Sequence, residues 1–145
     1  MTMQASSNDR VVHWWAVLAC LSLLTACSIK RDLSLAEAAT ETFHHRLAAS
    51  DNDAIFAEAT PEYQKTMTNV GNRAFLSRLR RTLGAPRSSR LLGLHENHMP
   101  SGTFVVGLYS THFEEGEAQE TFTWRLQDGA LRLSGYGITS PLLTP

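Results

Sequence analysis

The spacing of apolar residues changes once along this chain, near Arg90, and that change constrains the fold more than any other feature. Before it, Leu35, Ala39, Phe43 and Leu47 recur every four residues, and Phe75, Leu76, Leu79 and Leu83 cluster at short helical steps. Both patterns place an apolar stripe on a helix. After it, Phe122, Trp124 and Leu126 alternate with Thr121, Thr123 and Arg125. That two-residue period belongs to a strand with one buried and one wet face. Helices that come first and strands that follow predict an α+β fold, with N-terminal helices packed on a four-stranded antiparallel sheet.

Cap and turn signals subdivide both halves. Ser34, with Glu37 three residues on, reads as a capping box that opens the first helix. Ser50-Asp51-Asn52 closes it and starts a short helix through Ile55 and Phe56. Thr60-Pro61-Glu62 restarts the chain, and Gly71-Asn72 reads as a break before a further helix from about Arg73. Gly84 and Pro86 stop that helix. Strands are predicted over residues 90–96, 103–113, 119–127 and 130–138, divided by Pro100-Ser101-Gly102, Glu115-Gly116 and Asp128-Gly129. The second strand is apolar on both faces, with Phe104, Val106 and Leu108 against Val105, Tyr109 and Phe113, so it is expected inside the sheet.

The amino-terminal residues carry a separate message. Val11 to Cys27 is apolar except for His13, Ser22 and Thr25, and it follows a polar stretch ending in Arg10. An apolar core followed by small residues is the pattern of a secretory signal. It falls slightly short of the about 20 residues that span a bilayer, which disfavours the alternative of an uncleaved signal anchor. Its end, Leu24-Thr25-Ala26-Cys27, resembles the bacterial lipobox. The resemblance implies cleavage before Cys27, a diacylglycerol on the Cys27 thiol and acylation of the new amino terminus. Residues 1–26 are therefore expected to be a lipoprotein signal peptide, 27–34 a lipidated tether, 35–140 a single α+β domain and 141–145 a C-terminal tail. Cys20 would leave with the signal, so the mature chain is expected to form no internal disulfide. Ser28, rather than Asp, after the cysteine resembles an outer-membrane sorting address. That implies a lipid-anchored protein of the bacterial cell envelope, at the outer membrane and facing the periplasm.

Without Asp9 and Arg10 the charge balance is 12 Lys+Arg against 13 Asp+Glu. Near-neutrality argues against a nucleic-acid partner. No Gly-x-Ser-x-Gly and no phosphate-binding glycine loop is present. His44 and His45 are adjacent on a helix, about 100° apart, and cannot share a ligand face. His95, Glu96 and His98 straddle a strand end, without a second pair at helical spacing. The histidines therefore read as surface and strand-end residues, and no catalytic residue, metal or cofactor is expected.

A family resemblance rests on Leu83-Gly84, Ser89-Arg90, Phe104-Val105-Val106, Thr111-His112-Phe113, Glu120-Thr121, Trp124, Asp128-Gly129 and Gly135-Tyr136. Together these resemble a family of uncharacterised bacterial exported proteins, domain of unknown function 4019. The family is similar in outline to the cone-shaped nuclear-transport-factor-two-like fold. The resemblance implies a curved sheet with a hollow between helices and strands, and it brings no catalytic residues.

Two surfaces are then candidates for function. Arg73, Arg78, Arg80, Arg81, Arg87 and Arg90 are half the basic residues of the mature chain, and no acid lies between Glu62 and Glu96. Arg73, Arg78, Arg81 and Arg87 are the candidate binding surface for anionic head groups or an acidic envelope partner. Phe43, Tyr63, Trp124 and Tyr136 are candidate lining of the hollow. The expected function is a non-enzymatic, lipid-anchored domain that binds or scaffolds an envelope protein. The alternative is a small-ligand-binding lipoprotein that uses the hollow.

Overall fold

The computed structural model describes residues 31–143. The signal at 1–26 and residues 27–30 of the expected tether, Cys27 among them, lie outside them. Residues 31–48 form a helix, α1. Ser34 is therefore inside a helix already running at Arg31, and the capping box expected there does not open it. The buried stripe of α1 is Ala36, Thr40, Phe43 and Leu47. Steps of four residues advance by 400°, so the stripe read from Leu35 and Ala39 drifts off the buried face by about 40° per step.

Three helices follow, each with a side-chain cap that satisfies a free N–H of its first turn. Asp51 caps α2 (Asn52–Ala57), Thr60 caps α3 (Pro61–Thr66) and Thr68 caps α4 (Asn69–Leu83). Gly71 and Asn72, expected as a break, lie in the first turn of α4, where Gly71 N–H donates to Thr68 Oγ1 at 3.0 Å. Asn72 is fully buried and serves tertiary structure instead: it accepts from Tyr63 OH at 2.9 Å and donates to the Asn52 carbonyl at 3.1 Å. Among the described residues no helix is long and apolar enough to cross a membrane.

The strands are β1 (Pro86–Met99), β2 (Gly102–Phe113), β3 (Glu117–Gln127) and β4 (Ala130–Thr139), paired antiparallel in sequence order. Pro86 opens β1 rather than only ending the helix before it. The β3–β4 connection is the two-residue turn Asp128-Gly129, both at positive φ, which matches the twist of a hairpin. β2 lies inside the sheet as expected, but only one of its faces is covered. Val105, Tyr109 and Phe113 are buried, whereas Phe104 and Val106 are half-buried and Leu108 is exposed. The Arg125 guanidinium lies over the outer face of Phe104. Register shifts at Leu91/Gly93 and Thr123/Trp124 mark bulges that bend the sheet. A 3-10 turn, Pro141–Leu143, occupies part of the expected tail.

The end of α4 is locked to the sheet by one carboxylate. Gly84 caps the helix at φ 79°, and a side chain there would collide with Glu114. Glu114 accepts from Ala85 N–H at 2.7 Å and pairs with Arg80 and Arg87. The backbone N–H of Ala85, then the two arginines, hold its carboxyl below the ordinary carboxylate range. A depressed folded pKa contributes stability that is complete above the unfolded value and lost as pH falls through the folded one. The stability gap between wild type and Glu114→Gln is therefore expected to be full at neutral pH and to close in acid, below the ordinary carboxylate range. Urea titrations across pH measure this; a gap that does not change with pH rejects it.

Candidate binding site

Alternation along β3 puts Glu120 on the inner face between Ala118 and Phe122, with no exposed surface. A buried carboxylate without partners costs several kcal/mol. Here each neighbouring element supplies a donor. His44 Nε2 of α1 lies 2.7 Å from Oε2, Thr111 Oγ1 of β2 donates to the same oxygen at 2.5 Å, and Tyr136 OH of β4 donates to Oε1 at 2.6 Å. Desolvation of its hydroxyl, then the negative charge of Glu120, hold the Tyr136 phenol well above its ordinary range, so it remains a donor. Both Glu120 oxygens thus have partners, and the side chain is sealed from solvent. His44, read above as a surface histidine, instead turns inward from the edge of a cleft, with 12% of its side chain exposed.

On the inner face of the sheet, aromatic rings pack around Phe122. Phe122 packs between Phe43 (5.0 Å), Tyr109 (5.6 Å), Trp124 (5.2 Å, parallel) and Tyr136 (5.0 Å). Of the four candidate lining residues, Phe43, Trp124 and Tyr136 are thus gathered around one ring, while Tyr63 is held by Asn72 at the α3–α4 side. Open space remains on the two flanks of α1. One cleft, of about 330 Å³, lies between α1, α2, β3 and β4 and is lined by Ala39, Phe43, Ile55, Trp124, Leu131 and Leu133, with Thr42, Arg46, Glu58, Ala130 and Arg132 completing it. Trp124 Nε1 is buried with no hydrogen-bond partner. Arg46 and Glu58 form a two-pronged ion pair at 2.6 and 2.8 Å. Arg132 is exposed and carries no ion pair among the described residues. The other cleft, of about 430 Å³, lies between α1 and the start of β1, with Tyr109 among its lining residues.

Two of the four arginines of the expected basic surface, Arg73 on α4 and Arg87 on β1, form ion pairs. Arg73 grips Asp53 at 2.7 and 2.9 Å, and Arg87 pairs with Glu114. Arg78 and Arg81 remain exposed and without an ion pair among the described residues. His98 Nε2 lies 3.4 Å from Glu96 Oε1, and among the described residues no group of three or more His, Cys, Asp or Glu is arranged to hold a metal ion.

Among the described residues, four α-helices followed by an antiparallel meander define an α+β domain, with clefts on the two flanks of the first helix. The family described as protein of unknown function (DUF4019) matches residues 38–136, most of the chain, and the protein belongs to that family. No curated protein matches it.

Proposed function

We propose that this chain is a lipid-anchored envelope protein, not an enzyme, whose domain binds a small amphipathic anion in the cleft between α1, α2 and the β3–β4 hairpin. The anchor is the lipidated Cys27, and Ser28 directs the protein to the periplasmic face of the outer membrane. The bulged sheet is read as the curved wall of a nuclear-transport-factor-two-like cone. The observation that carries the ligand reading is Trp124, whose buried Nε1 has no acceptor and whose side chain lines a cleft of mixed apolar and polar residues. An unmet buried N–H costs about 1–3 kcal/mol, which a ligand oxygen would relieve. Arg132, unpaired beside the same cleft, matches an anionic head group, and the volume lies at the small end of ligand sites, about 300–1,000 Å³.

Residues 28–145 hold one tryptophan, Trp124, so the mature protein reports on this cleft through its own fluorescence. Titration with octanoate is expected to give a saturable change in Trp124 emission. Arg132→Gln is expected to weaken binding by about tenfold, corresponding to about 1.4 kcal/mol. An emission that octanoate leaves unchanged, or equal affinity in the variant, overturns the reading.

A further inference from the structure

The second cleft is built from different chemistry. Glu37, Thr40, Glu41 and His44 lie at helical steps of three and four on α1, so they share one face of the helix. Pro86 to Leu91 of β1 line it from the sheet, together with Tyr109 of β2. We propose that this cleft is a binding site for a small organic cation, an ammonium compound held by the carboxylates of Glu37 and Glu41 and the hydroxyls of Thr40 and Tyr109.

Three observations carry the assignment. First, Thr40 is 1% and Tyr109 2% exposed, and neither hydroxyl oxygen has a hydrogen-bond partner. Thr40 is near enough to the Tyr109 hydroxyl to oppose the rise that burial causes in its pKa, yet the two do not reach hydrogen-bonding geometry. A ligand N–H placed between them would be accepted by both. Second, Glu37 and Glu41 are exposed and have no ion pair among the described residues. Like charges four residues apart on a helix repel, and a bound cation removes that repulsion. The one arginine lining the cleft, Arg87, is already bonded to Glu114. Third, the negative charges of Glu37 and Glu120 push the Tyr109 phenol in the same direction as burial does, so the field at the cleft floor is negative. His44 presents Nε2 to Glu120 and so does not neutralise Glu37 or Glu41 directly. With no metal-holding cluster among the described residues, the anionic wall fits a hydrogen-bonding organic cation.

The test is calorimetric titration of the mature protein with 1,4-diaminobutane. Saturable one-site binding is expected. Tyr109→Phe keeps the ring and removes only the hydroxyl, and it is expected to weaken binding by about 5- to 10-fold, the loss of one hydrogen bond. Glu37→Gln with Glu41→Gln is expected to abolish it, whereas Glu115→Gln on the β2–β3 loop leaves it unchanged. Thermal unfolding of each variant confirms that it is folded. Absence of saturable binding, undiminished binding in the double variant, or displacement by magnesium as readily as by a second diamine would overturn the proposal.

Discussion

Phe122→Ala is expected to cost about 3–5 kcal/mol of folding stability, the range for removing a large aromatic from a packed core. Phe122 is fully buried and makes ring contacts with five side chains drawn from α1, β2, β3 and β4. These neighbours are themselves large rings fixed by one another and by Glu120, so they cannot collapse into the vacancy. The cavity contribution should therefore be near its maximum. Chemical unfolding followed by Trp124 emission measures it directly, because Trp124 stacks on Phe122 with an interplanar angle of 4°. Val70→Ala, at a position 78% exposed, serves as the reference and should change stability by no more than about 0.5 kcal/mol. A loss at Phe122 similar to that at Val70 would contradict the packing of α1 on the sheet.

The second large effect concerns location. Cys27→Ser is expected to move the protein from the membrane fraction to the soluble fraction, or to leave an uncleaved precursor. A single acyl chain gives only marginal membrane binding, whereas two or more hold stably, so losing the acylated cysteine removes the anchor as a whole. Fractionation combined with mass spectrometry of the mature amino terminus decides it, and an unlipidated wild-type terminus ends the lipoprotein reading. Recovery of the native protein in the inner membrane would reject the address drawn from Ser28.

Where local chemistry governs, the sequence was legible. The change of period near Arg90, the Asp128-Gly129 turn and the Thr60-Pro61 cap each act over a few residues, and all three stand in the fold. Ser34 and Gly71-Asn72 misled because their cap and break signals were outvoted: the helix was already running before Ser34, and Thr68 supplied a better cap upstream of Gly71. The candidate site was half visible. The same alternation that points Phe122 and Trp124 inward also points Glu120 inward, so the buried carboxylate could have been found. Its donors could not, because His44, Thr111 and Tyr136 are separated from it by 76, 9 and 16 residues and meet only in three dimensions. The ion pairs of Arg73 with Asp53 and of Arg87 with Glu114 were hidden for the same reason, since the acids come from other elements.

The Glu120 cluster also bears on how the chain avoids misassembly. A meander can slip by two residues without disturbing its inside–outside alternation, because every apolar side chain still faces the core. Glu120 makes such a slip detectable to the protein. Displaced by two positions along β2 or β4, its carboxylate would leave Thr111 or Tyr136 behind and sit unmatched in an apolar interior. One acidic residue thus sets β3 in step with both neighbouring strands and with α1, discriminating among pairings that hydrophobic burial alone would treat as nearly equal.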